Sequence, residues 1–411
     1  MKILVAGGGA SGFMAAITAA ERWPHHTVII AEKSHRVLSK VLISGGGRCN
    51  VTHRPLDIHD FSDQYPRGKR FLKKVLHEFG AADAIQWFES RGVRLKTEVD
   101  GRVFPASDDS ASIAGCLEGE ARRLGIQVLL KKGLDSFEKV DSGFQVHFSD
   151  GTKEVFDRII LATGGFPKSS SYDFLREAGI AIKEPLPSLF TFNSPGNPIS
   201  KLMGVSVPFA QVRIGGTKLV HHGPLLITHW GFSGPAVLKL SAFGAELLAE
   251  MKYEFNVEIR WCNDITREEC RAMWLGWRDK KVKTLIANHS GLSLPERLWN
   301  FLVEEAQISD KTRWADIGNK GIDSLLNQVF SNIHAIKGKT TFKEEFVTCG
   351  GVCLDKVDHR TMEYKNIPGL YFAGELLDVD GVTGGFNFQN AWTTGFIAGR
   401  SVGQNYSSVR L

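Results

Sequence analysis

Apolar residues near the start of the chain fall into two short runs on either side of an alanine-rich segment. Lys2–Ala6 and Thr27–Ala31 are almost continuously apolar, which is typical of parallel strands covered on both faces. Between them, residues 13–22 have a helical composition and end before Pro24. This strand–helix–strand order within about 30 residues predicts a βαβ unit.

Two later segments extend this pattern. Residues 70–92 place apolar side chains at helical spacing and predict one helix. Residues 158–162 form another buried-type apolar run, which predicts a further strand of the same parallel sheet. The N-terminal part of the chain therefore has the alternating order of an α/β protein.

The pattern changes in the middle of the chain. Strand-like alternation comes first, helical segments rich in Trp, Leu and Lys follow, and short strands with glycines return near the C-terminus. This order predicts an α/β fold whose nucleotide-binding domain is split in sequence, 1–190 plus 346–411. Its halves flank a β-rich inserted domain, 191–262 plus 334–345, and a helical subdomain, 263–333.

A glycine-rich turn with the GxGxxG pattern joins the first predicted strand to the first predicted helix. Its glycines would permit a tight turn, close approach of a pyrophosphate and close packing of helix on strand. The helix N-terminus would offer free N–H groups to the phosphates. At the end of the second strand, a carboxylate is placed to accept hydrogen bonds from a ribose diol. These features predict dinucleotide binding by Gly7, Gly9, Ala10, Ser11, Gly12 and Glu32.

Later segments favour FAD over NAD as the tightly bound dinucleotide. The strand at 158–162 leads into Thr163-Gly164-Gly165, which resembles the Ala-Thr-Gly segment of two-dinucleotide-binding flavoproteins. A later strand ends in Gly374-Glu375, which resembles the segment whose acid binds a ribityl hydroxyl in those proteins. The next helix is predicted to direct its positive end at the flavin, and it opens with Gly384-Gly385-Phe386-Asn387.

The chain resembles one family over almost its whole length. Residues 40–52, Lys-Val-Leu-Ile-Ser-Gly-Gly-Gly-Arg-Cys-Asn-Val-Thr, look like the Ser-Gly-x-Gly-Arg-Cys-Asn signature of the bacterial aminoacetone oxidase family, also grouped with bile-acid dehydro-reductases. Further matches lie at 101–105, 226–235, 347–352 and 374–389. The resemblance implies a Rossmann-like FAD-binding domain with an inserted β-barrel-like domain and a helical subdomain.

Departures from the family pattern concern contacts rather than the cofactor. His53 stands where the family more often has Asn, and Phe386 and Phe388 replace the usual Tyr and Leu. They leave the expectation of FAD unchanged.

The glycine-rich signature contains one cation and one thiol. Arg48 suits a pyrophosphate because its charge is permanent and its donors are forked, and a surface loop with a chance arginine is the alternative. Cys49 has no CxxC partner, so a small packed residue is favoured over a catalytic thiol. The predicted cofactor-binding set is completed by Lys33, Lys40, Gly47, Arg48, Cys49, Asn50 and Leu134.

The composition of the chain indicates which classes of partner it is expected to bind. The 411 residues carry a formal net charge of +5 and include 43% hydrophobic and 23% charged residues, ordinary values for a folded protein. No run of Lys and Arg is long enough for a nucleic-acid-binding tail, so a nucleic-acid partner is not expected. The densest basic cluster predicts a solvated helix face, with a surface for an anionic partner as the alternative. Its members are Arg67, Lys69, Arg70, Lys73 and Lys74.

The sequence contains no recognisable signal segment, membrane-spanning stretch or cluster of metal ligands. No signal-like segment precedes the first strand and no apolar stretch reaches 18 residues, so we expect a cytoplasmic protein with no membrane span. The six cysteines are scattered and indicate no disulfide framework. Neither Cys349 with Cys353 nor His221 with His222 has the further ligands of a metal site, so no metal is expected.

These features predict an FAD-dependent oxidoreductase. A small organic substrate would exchange hydride with flavin N5, and the flavin would be reoxidised by O₂ or served by transiently bound NAD(P)H. No catalytic acid or base is identified; His229 is a candidate near the substrate, with structural packing as its alternative role. A non-catalytic or RNA-associated flavin-binding protein is the alternative function.

Overall fold

The computed structural model of the protein describes residues 1–340 and 347–404. They divide into two compact units: unit 1 comprises Met1–Pro187 and Lys343–Leu411, and unit 2, inserted in sequence, comprises Ser188–Phe342. The predicted boundary after residue 190 lies near Pro187, whereas the one after residue 345 lies outside the described residues. Residues 263–333 lie within unit 2, and a separate helical subdomain there stays a prediction.

Unit 1 begins with alternating strands and helices. Its strands before the insertion are β1 (Lys2–Ala6), β2 (Thr27–Ala31), β3 (Thr52–His53), β4 (Leu95–Thr97), β5 (Arg102–Pro105), β6 (Gln127–Leu129), β7 (Leu134–Val140), β8 (Gly143–Phe148), β9 (Lys153–Phe156), β10 (Arg158–Leu161) and β11 (Ile182–Ser188). Its helices there are α1 (Ala10–Arg22), α2 (Ser39–Gly47), α3 (Ile58–Ser62), α4 (Lys69–Val75), α5 (Ala81–Glu89), α6 (Ala111–Arg123) and α7 (Asp173–Glu177).

Unit 2 contains strands first and mostly helices afterwards. The strands are β12 (Thr191–Asn193), β13 (Ser206–Ile214), β14 (Val220–Thr228), β15 (Gly231–Ser233), β16 (Glu254–Arg260), β17 (Asn332–Lys337) and β18 (Lys339–Thr340). The helices are α8 (Pro235–Phe243), α9 (Ala245–Glu250), α10 (Arg267–Lys280), α11 (Glu296–Glu305) and α12 (Asn319–Phe330). The chain then completes unit 1 with β19 (Val347–Val352), β20 (Leu370–Phe372) and α13 (Phe386–Ser401).

A five-stranded parallel sheet forms the centre of unit 1, in the order β20-β10-β1-β2-β6. Leu4 of β1 pairs with Ile159 on one side and Ile29 on the other, and all three side chains are buried. Such burial is what continuous apolar runs predict for a sheet covered on both faces. Because the strands are parallel, the segments that follow β1, β2, β10 and β20 meet at one edge.

Helix α13 packs against α1 with glycines at the contact. A methyl group on Gly395 would lie 2.5 Å from the carbonyl oxygen of Ser11, and one on Gly399 would lie 2.2 Å from that of Ala15. Carbon and oxygen atoms do not approach so closely, so any side chain there would push the two helices apart. The C-terminal helix is therefore fixed against the helix that follows the glycine-rich turn.

The single helix predicted over residues 70–92 is wrong, because α4 and α5 are separated around Gly80. Gly80 has an extended backbone, and its N–H donates to the Asp83 carboxylate at 2.7 Å. A carboxylate on the third helical residue that accepts from the preceding N–H is a strong start signal for a new helix. Apolar positions continue at helical spacing on both sides of this break, so periodicity alone did not show it.

Unit 2 contains a seven-stranded antiparallel sheet in the order β17-β16-β13-β14-β15-β12-β18. Residues of β17 alternate strictly between buried and exposed, as in a strand with one face against the core. The β-rich part predicted for the insertion is therefore an antiparallel sheet, with β17 and β18 at the ends of the pairing order.

Three tryptophans organise the helical part of unit 2. Trp274 lies with its ring centroid 5.7 Å from that of Trp299 and 5.6 Å from that of Trp314. Their indole N–H groups donate to the carbonyl oxygens of Ser290, Ile286 and His289, respectively, at 2.8 to 3.2 Å. Because each ring buries apolar area and satisfies one backbone carbonyl, the cluster fixes an irregular segment between α10 and α11.

His334 of β17 is buried in a network of amide groups. Its Nδ1 lies 2.8 Å from the Asn197 amide nitrogen, and its Nε2 bonds to the Asn332 side-chain oxygen. The Asn197 amide donates to Nδ1, so the ring is neutral and donates through Nε2 to Asn332. Burial lowers the pKa of His334 to about 4. Protonation would place an N–H against another donor inside the unit.

We therefore expect unit 2 to lose stability as the pH falls from about 6.5 towards 4. In that window the unfolded chain binds a proton at His334 that the folded chain excludes, so the free energy of unfolding decreases with falling pH, by up to about 3 kcal/mol. Thermal melts of the native protein and of His334→Gln, recorded between pH 7.5 and 4.5 with all other solution conditions held constant, would measure this decrease in stability. An equally steep pH dependence in both proteins would contradict the assignment.

Candidate functional site

Four segments meet at the carboxyl edge of the parallel sheet of unit 1. The Leu38 N–H donates to the Gly8 carbonyl at 2.8 Å, which joins the segment after β2 to the glycine-rich turn. A methyl group on Gly7 would lie 2.3 Å from the Ala162 carbonyl oxygen, and one on Gly374 would lie 2.4 Å from Ser11 Oγ. The structure thus brings together the turns that follow β1, β2, β10 and β20, which is where doubly wound sheets bind nucleotides.

The three glycines of the GxGxxG turn have different surroundings. A methyl group on Gly12 would lie 1.9 Å from the Gly7 carbonyl oxygen, so Gly12 allows helix α1 to pack on the turn. Gly7 also has φ +115°, a conformation that favours glycine. A methyl group on Gly9 would meet no described protein atom within 4 Å. The open side of the turn therefore lies at Gly9, next to Ala10 at the start of α1, whereas Ser11 is buried.

Glu32 is held against this turn. One carboxylate oxygen accepts from the Gly8 N–H at 2.8 Å, and the other accepts from the Ser34 N–H at 2.9 Å. Each oxygen retains lone-pair capacity after one such bond. The carboxylate is therefore orientated by two backbone groups and can still accept from ribose hydroxyls.

Glu375, after β20, links two other parts of the site. Its carboxylate accepts from Lys40 Nζ at 2.7 Å and from the Thr348 N–H at 3.1 Å. A methyl group on Gly165 would lie 3.0 Å from Thr348 Cβ and 3.2 Å from Glu375 Cγ. Thr348 was not singled out from the sequence, although it lies in the family-like segment 347–352.

The start of α13 is bound to the family-like segment around Asn50. With its amide orientated by its neighbours, Asn50 donates to the Thr52 carbonyl at 2.9 Å and accepts from the Gly385 N–H at 2.9 Å. A methyl group on Gly385 would lie 2.5 Å from the Thr52 carbonyl oxygen, and Gly385 has φ +90°. The glycine is thus required by the protein backbone itself, whether or not a flavin lies beside it.

The neighbours of Gly385 make protein contacts as well. A methyl group on Gly384 would meet the Phe386 ring at 2.9 Å, and Phe386 itself stacks on His53 with centroids 5.1 Å apart. The Asn387 side chain accepts from the Gly381 N–H and donates to the Gly381 carbonyl, both at 2.8 Å. Asn387 therefore shapes the loop before α13 through both halves of its amide.

The structure gives Arg48 partners other than a phosphate. Its guanidinium pairs with the carboxylates of Glu98 at 2.7 Å and Asp108 at 3.4 Å, and it lies 4.0 Å above the Phe104 ring. Both carboxylates accept from one guanidinium nitrogen, Nη1, so the charge of Arg48 is paired within the protein. Beside it, a methyl group on Gly47 would meet no described atom within 4 Å.

Cys49 is a packed residue. Its side chain is fully buried, and burial raises the pKa of the thiol to about 12. A thiol with so high a pKa carries almost no thiolate at neutral pH and is a poor nucleophile. The structure therefore favours the packing role over a catalytic thiol.

The remaining predicted cofactor-binding residues lie along the same edge. Lys33 Nζ lies 5.5 Å from the centre of the Phe166 ring. Lys33 also packs beside Gly133, the residue before Leu134, since a methyl group on Gly133 would lie 2.9 Å from Lys33 Cβ. After β10, Thr163 precedes Gly164, where a methyl group would meet no described atom within 4 Å.

These observations fit a dinucleotide such as FAD. Open space at Gly9, Gly47 and Gly164 leaves backbone accessible to a ligand, and Glu32 supplies an orientated acceptor. Gly385, Asn387 and Arg48 are instead engaged with the protein. The sequence therefore predicted which segments contribute to this edge, but not which groups each side chain contacts there.

Other sequence candidates lie outside this cluster. His229 belongs to unit 2, is exposed and lies edge-on to Trp230 with centroids 4.2 Å apart, so it is not a packed core residue. Within residues 1–340 and 347–404, no group of His, Cys, Asp or Glu has the arrangement of a metal site. No helix in the described ranges is long and apolar enough to cross a membrane.

Comparisons with known proteins agree with this fold. Residues 1–401 match the family described as HI0933-like protein Rossmann domain. A 3-dehydro-bile acid delta(4,6)-reductase of Clostridium scindens is 29% identical, and the match covers 98% of this chain and 99% of the relative.

Two further relatives carry a different name. The ribosomal RNA dihydrouridine synthases of Haemophilus influenzae and Escherichia coli are 27% and 28% identical, covering 97% and 95% of this chain and 98% and 95% of theirs. Their names weaken the prediction that argued against a nucleic-acid partner.

Solved structures with this fold include a flavocytochrome c3 fumarate reductase, with TM-score 0.51, 15% identity and coverage of 98% of this chain and 78% of that one. A 3-ketosteroid-delta4-(5alpha)-dehydrogenase from Rhodococcus jostii RHA1 has TM-score 0.52, 12% identity and coverage of 98% and 96%. The chain belongs to the HI0933-like family, which confirms the predicted Rossmann-like FAD-binding fold and the assignment to flavin-dependent oxidoreductases.

Proposed function

We propose that this protein uses FAD, bound at the carboxyl edge of the unit 1 sheet, to reduce a carbon–carbon double bond conjugated to a carbonyl group. The observation that carries the cofactor site is the meeting of four strand ends around Glu32 and the open backbone at Gly9. Bound FAD would supply hydride at flavin N5.

The relatives' names support this choice of substrate class. A 3-dehydro-bile acid delta(4,6)-reductase acts, by its name, on double bonds of a 3-oxo steroid. A dihydrouridine synthase, by its name, saturates a double bond of the uracil ring, which is conjugated to a ring carbonyl. Reduction of either bond adds a hydride to the carbon remote from the carbonyl and a proton to the adjacent carbon.

We propose a role in cofactor binding for each of the main residues of this site. Glu32 would bind the adenosine ribose, and Gly9 with the α1 N-terminus would bind the pyrophosphate. The Lys40–Glu375 pair would lie along the ribityl chain, and the α13 N-terminus would stabilise negative charge on reduced flavin. No second GxGxxG follows a strand in residues 190–345, so we propose NAD(P)H as a transient donor rather than a resident one.

A second candidate function is reduction of uridine in RNA. The names of two relatives favour it, and the chain has a formal net charge of +5. The same cofactor site and the same bond class would serve both candidates. The two candidate functions differ in whether the substrate contains a phosphate backbone.

We expect Glu32→Ala to weaken FAD binding by about 10- to 100-fold, because a hydrogen bond to a charged group is worth about 1.5–3 kcal/mol. The reduction potential of the flavin that remains bound should not change, since the adenosine end is remote from the ring. Titration of the apoprotein with FAD would measure the affinity. Glu118→Ala, which removes an exposed carboxylate of α6 in the same unit, is the control. Equal affinities would place Glu32 away from the ribose.

Gly9→Ala and Gly12→Ala should fail in different ways. The added methyl group at position 9 enters open space, so the apoprotein should keep its melting temperature while FAD binding is lost. At position 12 it would overlap the Gly7 carbonyl, so the apoprotein itself should be destabilised, by roughly 1–3 kcal/mol. Melting of both apoproteins with and without FAD separates the two effects. Normal FAD affinity in Gly9→Ala would exclude a pyrophosphate there.

The proposed reaction is tested by anaerobic mixing of the holoprotein with NADH or NADPH, followed by a 3-oxo-4-ene steroid or a uridine-containing RNA. We expect the nicotinamide to bleach the flavin and a conjugated substrate to restore its colour, while the saturated analogue does not. Bleaching by an amine, with hydrogen peroxide formed in air, would identify an oxidase instead and contradict the proposal.

A further inference from the structure

A basic groove runs beside helix α4 in unit 1. It is a cavity of about 530 Å³ between α4 and the segment 354–365. Four Lys or Arg side chains and one histidine line it, against a single carboxylate, that of Asp355. The five basic residues of this groove are Lys69, Arg70, Lys74, His359 and Lys365.

Much of this positive charge is not neutralised within the protein. Lys69 is paired with the carboxylate of Asp63. In the described part of the chain, Arg70 and Lys74 are exposed and make no ion pair. The carboxylate of Asp355 is paired with Lys356 at 3.1 Å, a residue that does not line the groove. Lys365 Nζ donates to the Asp355 carbonyl at 2.6 Å, which holds this ammonium on the wall opposite α4. The groove therefore presents cations from two walls.

The groove is also fixed to the loop before α13. The Tyr65 hydroxyl donates to the Phe386 carbonyl at 2.7 Å, and Arg67 Nε donates to the Asp380 carboxylate at 2.6 Å in a buried ion pair. A methyl group on Gly68 would lie 2.6 Å from Val379. Residues 65–68, which lead into α4, therefore contact the loop before α13 and the first residue of α13, the helix proposed to face the flavin.

We infer that this groove binds the sugar–phosphate backbone of an RNA substrate. The inference rests on the second candidate function and adds to it the surface that the RNA would use. A single steroid carboxylate would need one cation, whereas repeated phosphates match cations spaced along two walls. A concave groove also suits a strand better than it suits the flat surface of a membrane. Backbone bound here would be held beside the loop that precedes α13.

The test compares two double variants of the FAD-loaded full chain. Arg70→Gln with Lys74→Gln removes two groove cations and leaves polar, uncharged side chains, and Lys311→Gln with Lys320→Gln makes the same type of change at two exposed lysines of unit 2. Binding of a fluorescent, uridine-containing RNA hairpin is followed by anisotropy at several salt concentrations. We expect the groove variant to bind roughly 10- to 100-fold more weakly, with a salt slope reduced by about 2, and the control to bind nearly as the native protein does.

Three results would overturn the inference. The first is an equal loss of RNA binding in both variants, and the second is no RNA binding by the native protein. The third is binding of vesicles rich in anionic lipid as tightly as RNA, with the same dependence on Arg70 and Lys74, which would assign the groove to a membrane surface. FAD content and nicotinamide-driven bleaching are measured on the same samples. Absence of FAD and of bleaching in the native protein, with RNA binding retained, would count against the proposed oxidoreductase function itself.

Discussion

Close backbone contact around helix α1 is the constraint on which the rest of unit 1 depends. Gly12 lets α1 meet the turn after β1, and Gly395 and Gly399 let α13 meet α1. None of these contacts would survive the addition of one methyl group without movement of a helix. Because α1 is held from both sides, its N-terminus stays at the sheet edge where Glu32 is also bound.

The same constraint connects the two ends of the proposed cofactor site. Helix α13 is positioned along its length by α1, while its first turn is positioned by Asn50 and Thr52. In the proposed site, the adenosine side would depend on the beginning of the chain, and the flavin side would depend on α13. Both are therefore set by one packing arrangement, although almost the entire sequence separates them.

Residue patterns predicted the main strands of the sheet and assigned the segments after them to one cofactor site, because continuous apolar runs and glycine-rich turns are local signals. They did not predict the break at Gly80, where the capping carboxylate of Asp83 overrides an uninterrupted apolar period. Nor did they predict that Arg48 pairs with Glu98, or that Gly385 faces Thr52. Those partners lie far away in sequence, and no local pattern encodes them.

The tryptophan cluster of unit 2 makes the two units optically distinguishable. Six of the nine tryptophans lie between residues 230 and 314, and three of them form the buried cluster around Trp274. Indole emission would therefore report mainly on the inserted unit, whereas the absorbance of a flavin held by Glu32 and α13 would report on the other. If the two units unfold in separate stages, indole emission would follow the unfolding of unit 2 and flavin absorbance that of unit 1.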